Sequence, residues 1–305
     1  MNLHLLQRTL AAEFSCSGIG VHSGQRVNLS VKPAPVNHGI KFYRIDLPGT
    51  PCVSAHFNRV VDTSLATVIG EDGCIVSTIE HLMASLSGHA IDNAIVEIDS
   101  YELPIMDGSA GPFSDLIRSA GVTEQDRPRC FFMLNAPIEL HENGKSVCVY
   151  PSNELRISYT IEYDHPLIGA QTASFRITEE SFDTEIAKAR TFGFLHELEY
   201  MQKFGLAKGG SLDNALVVGR DGLINKGGLR FQDEFVRHKI LDCIGDFSLL
   251  GMPILGHIVL KKSGHAFNHA FLEKFFAEKE SWETRTPLNP SDLTLLRPKK
   301  FAAHY

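Results

Sequence analysis

Apolar and polar positions recur along this chain with two periods, and each change of period marks an element. Residues 20–30 and 39–45 alternate at period two around the Pro- and Asn-containing connection PAPVNHG, which predicts two strands. Residues 77–88 (STIEHLMASLSG) switch to helical spacing, and 93–98 (NAIVEI) return to strand. The turn-rich LPIMDGSAGPF leads into a helix over 113–120, with Pro112 in its first turn. Its DGSAGP portion lacks the Lys and the spacing of a P-loop and reads as a turn. Residues 121–129 (GVTEQDRPR) are polar, charged and contain Pro128. They predict a linker, dividing the chain into a domain over 1–126 and a second over 127–305.

The second part opens with strands at 130–140, 146–150 and 155–163, then a short helix at 179–189. An amphipathic helix follows, with Leu195, Leu198, Met201 and Phe204 on one face. The pair Gly209-Gly210 leads to a strand at 216–218 and a turn at 220–222. A long helix over 233–251, a strand at 256–260 and a final helix after KKSGHAFNHAF complete the pattern. There is a faint internal repeat. Glu80-His81 begins a helix that leads to NAIVEI, and Arg237-His238 lies early in a helix that leads to GHIVL. Two such α+β units facing each other would bring both helices to one cleft.

The helix over 233–251 organises the rest. Val236, Ile240, Cys243, Ile244 and Phe247 share one face; His238, Asp242 and Asp246 lie on another. Four residues advance a helix by one turn plus about 40°, so His238 and Asp242 stack and could share a divalent cation. A solvated polar face has the same pattern, and this helix alone does not separate the two. Likewise Ser77-x-x-Glu80 fits a capping box, with Ser77 as N-cap. The alternative makes Glu80 a base beside a third ligand, His81, whose imidazolium a helix N-terminus disfavours. Two His and one carboxylate leave one coordination position open, the arrangement of a catalytic zinc. His265 follows a strand in a small-residue turn; with Asp246 as partner it could hold a proton at neutral pH. Lys239 reads as an ordinary surface lysine. His196-Glu197 starts like a zincin motif, but Tyr200 stands where the second ligand belongs.

Composition narrows the class. A length of 305 residues suits two domains, and 43% hydrophobic with 21% charged is that of an ordinary soluble protein. The net charge, 29 − 36 = −7, argues against a nucleic-acid partner. Six scattered cysteines without a CxxC pair fit the reduced thiols of a cytoplasmic protein. The N-terminal MNLHLLQRTLAAEF has no signal-peptide h-region, and the longest apolar run, 247–260, is too interrupted to span a bilayer. No long exposed apolar stripe is evident, so a monomer is expected.

Taken together, QRTL (7–10), GVHSG (20–24), STIEHLMASL (77–86), PIMDGSAGPF (104–113), ARTFGF (189–194), GLRFQDEFVRHKILDCIGD (228–246) and KKSGHAFNHA (261–270) resemble the UDP-3-O-acyl-N-acetylglucosamine deacetylases, the LpxC family of lipid A synthesis. The resemblance implies two α+β domains, each a sheet-and-helix layer, with the site between them. It implies removal of acetate from an acylated UDP-sugar, the committed step of that synthesis. It places Zn²⁺, or Fe²⁺ in the cell, on His81, His238 and Asp242. Glu80 would be the general base, His265 the general acid, Asp246 its orienting partner and Thr191 an oxyanion donor. Lys239 and Lys262 would meet the diphosphate, Phe192 and Phe194 would line the approach, and Glu162 and Tyr163 would lie on the uridine side. A βαβ insert at about 193–226 would form an acyl passage lined by Leu195, Leu198, Met201, Ala207, Gly210, Ser211, Ala215 and Val217. Ala66 stands where some relatives carry Cys near the metal. Zinc hydrolysis of another acetamido-sugar, or non-catalytic sugar-nucleotide binding, are the competing classes; the presence of Glu80, His265 and the insert weighs against both.

Overall fold

The computed structural model describes residues 4–287, 289 and 292, so the outermost residues of both expected domains lie outside the described residues. Six α-helical segments occur in that range: α1 Glu80–Gly88, α2 Gly111–Ala120, α3 Glu179–Ser181, α4 Leu195–Lys203, α5 Glu234–Ser248 and α6 His265–Ala277. With the sheets below they make a mixed α+β fold.

Two large sheets share one strand order. In the first, Phe14–Ile19 and Arg26–Pro33 form a hairpin. Ala94–Ile98, which follows α1, pairs antiparallel with Arg26–Pro33 and parallel with Ile40–Arg44. Cys52–Ser54 closes that edge. In the second, Ile138–Glu142 and Lys145–Pro151 form the hairpin. Ile254–Lys261, which follows α5, pairs antiparallel with Lys145–Pro151 and parallel with Arg156–Glu162, and Ala170–Arg176 closes the edge. The faint repeat in the sequence is therefore carried in full by topology. Phe131–Leu134 and Trp282–Arg285 extend the second sheet.

Each sheet turns one face to a shared core, as period-two alternation requires. Val27, Leu29, Val31 and Val96 point inward from the first; Val147, Val149, Ile157 and Ile258 point inward from the second. Between the sheets α1 and α5 lie against each other, and both are buried on nearly every side. A helix enclosed all round carries apolar side chains all round unless its polar groups are paired. The polar side of α5 is thus an internal surface: His238, Asp242 and Asp246 are all buried. Gly245 makes the contact possible, because a Cβ there would stand 2.2 Å from the Glu80 carbonyl oxygen.

Four expectations change. The capping box does not form: α1 begins at Glu80 with Ile79 as N-cap and no side-chain cap. Ser77 belongs to the preceding bridge with Glu102, and Thr78, at φ 60°, turns the chain between them. That left-handed conformation is costly for a β-branched residue and delivers Glu80 into the cleft. Ser77→Ala is accordingly expected to shift unfolding free energy by less than about 0.5 kcal/mol, the range of an ordinary site, where loss of a true cap costs about 1; a denaturant titration decides. The predicted linker is mostly a strand, Val122–Pro128, paired antiparallel with Leu6–Leu10. Its charges read as a solvated connection because the strand it pairs with lies more than a hundred residues earlier. The single strand expected over 130–140 is two, broken at Asn135-Ala136-Pro137. The helix expected over 179–189 is one α turn followed by a π turn, Phe182–Ile186.

The insert is a βαβ unit. Phe192–Phe194 and Leu216–Gly219 run parallel, joined through α4, and Gly222–Leu223 adds a short antiparallel edge. α4 buries none of its residues, and Leu195, Tyr200 and Phe204 are exposed. Among the described residues no helix is long and apolar enough to cross a membrane. All six cysteines are free.

Candidate metal centre and active site

The i,i+4 spacing on α5 sets His238 Nε2 3.3 Å from Asp242 Oδ1. From α1, His81 Nε2 comes within 3.7 Å of the same oxygen. The two imidazoles stand almost perpendicular with centroids 5.1 Å apart. All three ligand atoms lie within 4.8 Å of one another. A tetrahedral ion at bond lengths of about 2.0–2.1 Å separates neighbouring N and O ligands by about 3.3 Å, so this donor set fits one.

The hydrogen bonding agrees. His238 Nδ1 donates to the Ala189 carbonyl at 3.0 Å, which leaves the Nε2 lone pair facing Asp242. Burial pushes the His238 imidazolium down to about 3, against the pull of Asp242, so the ring is neutral. Asp242 Oδ2 accepts from Lys239 Nζ at 2.7 Å. Its other oxygen, Oδ1, is buried and accepts nothing. An orphaned carboxylate oxygen between two imidazole nitrogens is costly unless a cation sits there. Burial alone would raise the Asp242 pKa, yet neighbouring charge holds it well below the usual carboxylate range. His238, the Lys239 ammonium, His81 and His265 all act in that direction. Lys239 is therefore largely enclosed at the cleft floor, contrary to the surface position expected of it.

Beside the donors stand an acid and a base. Glu80, in the first turn of α1, accepts the Thr67 backbone N–H at 3.1 Å. Burial raises its pKa above the ordinary carboxylate value, opposed by His265 and His81. His265 Nε2 faces Glu80 Oε1 at 3.9 Å. The opposite ring nitrogen, Nδ1, donates to Asp246 Oδ2 at 2.9 Å. Asp246 also accepts from Thr67 Oγ1 at 2.6 Å and from Asn268 Nδ2 at 2.8 Å. Burial disfavours the His265 imidazolium, but the charge and hydrogen bond of Asp246, with Glu80, outweigh it and lift the pKa to about 10.

The remaining predicted residues differ in burial and in the contacts that hold them. Thr191 is held by its backbone, its N–H donating to the Gly108 carbonyl at 2.7 Å. Phe192 packs its ring 5.0 Å from Phe235 and 5.6 Å from Tyr163, and Lys239 lies over its face. Phe194 extends the cluster outward, 5.8 Å from Tyr163. Lys262 and Glu162 form an ion pair of 2.6 Å on the more exposed rim. In the insert Ala207, Ala215 and Val217 are buried, Leu198, Met201 and Gly210 half-buried, and Leu195 and Ser211 exposed. A cavity of about 1130 Å³ opens elsewhere, lined by the other flanks of α1 and α5 at Met83, Leu86, Ile244 and Phe247. None of the six titratable groups of the site lines it.

Several contributors had no sequence signal. Thr67 joins the base to the partner of the acid, across separations of 13 and 179 residues. Glu234 is fully buried and clamps Arg190, next to Thr191, through contacts of 2.8 and 3.1 Å. Asn268, Gly245 and the Ala189 carbonyl likewise act through neighbours remote in the chain.

A buried His₂Asp donor set flanked by an acid–base pair, in an α+β frame, defines a metal-dependent hydrolase. Residues 7–277 match the family model described as LpxC, UDP-3-O-acyl N-acetylglycosamine deacetylase. The chain belongs to this family of deacetylases. Proteins named UDP-3-O-acyl-N-acetylglucosamine deacetylase are similar to it over most of its length. That of Myxococcus xanthus is 48% identical over 277 residues, covering 91% of this chain and 88% of the relative. That of Syntrophotalea carbinolica is 48% identical over 279 residues (92% and 90%), and that of Teredinibacter turnerae 45% identical over 282 residues (92% and 93%).

Proposed function

We propose that this chain removes acetate from UDP-3-O-(3-hydroxyacyl)-N-acetylglucosamine in lipid A biosynthesis, with a divalent ion held by His81, His238 and Asp242. The observation that carries this reading is the buried, unpartnered Oδ1 of Asp242 between two imidazole nitrogens. Zn²⁺ suits two nitrogens and one oxygen at these separations, and Fe²⁺ is the other candidate.

Bound there, the ion would supply Lewis acidity, polarising the amide carbonyl and making a water more acidic. The protein's own groups do the rest. Glu80, with its proton affinity raised by burial, takes the proton of the attacking water. Thr191, on the loop braced by Glu234, donates toward the developing oxyanion. His265, charged at neutral pH, gives its Nε2 proton to the departing nitrogen, and Asp246 holds the ring in the orientation that allows it. Acid and base face each other across 3.9 Å, so both reach one scissile bond. Lys239 at the floor and Lys262 at the rim meet the diphosphate, with Glu162 and Tyr163 on the uridine side. The open apolar flank of α4 supports an acyl chain passing along the insert, since that surface is otherwise left to water. We further place the protein in the cytosol, as its free thiols suggest. We take it as a monomer of two domains, a division that the repeated strand order supports, with residue 126 inside the strand Val122–Pro128 that pairs back to the first of them.

Acetate release from the acylated UDP-sugar tests the reading. Metal-free protein is expected to be inactive and to regain activity with one Zn²⁺ per chain. UDP-N-acetylglucosamine, lacking the acyl chain, is expected to turn over at least about tenfold more slowly. Full activity without metal, or equal turnover of both substrates, would overturn it.

The pH profile gives a second check. His265 can donate only while protonated, so its contribution is present below its pKa and lost as pH rises through about 10. Asp246→Asn removes the charge that raises that pKa. The alkaline limb of kcat/KM is then expected to move to lower pH by more than about 1 unit. An unmoved limb would separate His265 from that limb.

A further inference from the structure

The hairpin at the edge of the second sheet carries a cluster that the deacetylase chemistry does not use. Ile138–Glu142 and Lys145–Pro151 are joined by Asn143-Gly144, with φ of 50° and 77°. Positive φ at both positions is the mark of the two-residue turn whose twist matches its strands. So short a turn pins the register, with Glu139 opposite Cys148 and Glu142 opposite Lys145. Alternation then sends Ile138, Val147 and Val149 into the core and leaves Glu139, His141, Cys148 and Tyr150 together on the outer face.

Three different donors meet there. His141 Nε2 is 3.3 Å from Glu139 Oε2 and 3.7 Å from Cys148 Sγ. One ligand atom from each of the three residues lies within 4.8 Å of the others. Tetrahedral Zn²⁺, at about 2.3 Å to sulfur and about 2.0–2.1 Å to nitrogen and oxygen, sets its ligand atoms about 3.3–3.6 Å apart. Both separations from His141 are near those values, and the Glu139–Cys148 one, within 4.8 Å, closes by a side-chain adjustment on two hydrogen-bonded strands. Tyr150 Oη donates to Glu139 Oε1 at 3.0 Å, which steadies the carboxylate with Oε2 turned to His141 Nε2. Cys148 is buried, whereas Glu139 and His141 are exposed, so an ion would enter from solvent and be covered on its inner side.

We propose that Glu139, His141 and Cys148 form a second metal site, for a thiophilic divalent ion of the Zn²⁺ class, separate from the His₂Asp centre. Binding breaks the Cys148 S–H bond, releases that proton to solvent and forms the sulfur–metal bond, with no change of oxidation state. The ion ties the edge strand to its neighbour, with solvent at the remaining coordination position.

Cobalt distinguishes the two sites, because only this one offers sulfur. Full-length protein stripped of metal and titrated with Co²⁺ is expected to develop a near-ultraviolet thiolate-to-metal charge-transfer band, in addition to the weak visible bands of a nitrogen–oxygen site. The band should account for one Co²⁺ per chain beyond the ion taken by the His₂Asp centre, vanish in Cys148→Ser, and need at least tenfold more Co²⁺ in His141→Ala. Acetate release by His141→Ala should match the parent. No charge-transfer band, or one that survives Cys148→Ser, would overturn the proposal. If Cys148→Ser does not fold, the exposed His141→Ala and Glu139→Ala carry the test, and unchanged Co²⁺ affinity in both would overturn it equally.

Discussion

Glu80→Gln is expected to lower kcat by about 10²–10⁴ while leaving metal content close to one ion per His₂Asp site. Glutamine keeps the size of the side chain and an oxygen for the Thr67 N–H, so the first turn of α1 has no reason to move. What disappears is the ability to accept a proton from water in a pocket where burial favours the protonated form. Quenched assays of acetate release with the metal-loaded variant, beside a metal analysis of the same sample, separate this from a loss of ligand geometry. Near-parental turnover would remove Glu80 from the role of base. A large fall in metal content would instead place it among the groups that hold the ion.

Gly245→Ala is expected to force apart the two helices that carry the metal-ligand candidates. The new Cβ would meet the Glu80 carbonyl oxygen at 2.2 Å, with Glu80 carbonyl carbon and Cα at 2.9 and 3.0 Å. All three are backbone atoms, so relief requires α1 and α5 to separate. Alanine is the better helix former by roughly 0.5–1 kcal/mol, but overpacking of this kind costs about 1–3 kcal/mol or more. Net destabilisation of about 2 kcal/mol is expected, together with at least tenfold weaker metal binding, because the same movement draws His81 away from Asp242. Gly227→Ala is the control: a Cβ there meets nothing within 4 Å. Equal stability of the two variants in denaturant titration would mean that the two helices have room for a methyl group between them.

Much of the site was legible because some of it is local. His238 and Asp242 lie one turn apart on α5, and that spacing alone pairs an imidazole with a carboxylate. The long motifs shared with the family then supplied partners from other segments. Ser77 shows the opposite case. Its spacing to Glu80 satisfies the capping pattern, yet the chain turns through Thr78 and uses Ser77 in a bridge. The surroundings of Lys239 were hidden for a related reason: nothing nearby in the chain says that Phe192 will cover it and Asp242 will bind it.

The sequence by itself determined the periods of the strands and helices, the stacking of His238 on Asp242, and the membership of a family. Tertiary structure alone decided that the polar side of α5 faces α1 instead of water, that one oxygen of Asp242 is left without a donor, and that Thr67 spans base and acid. The physical reason is that periodicity records which side of an element is apolar. What lies against the other side depends on segments more than a hundred residues away, and there burial gives each charge its value.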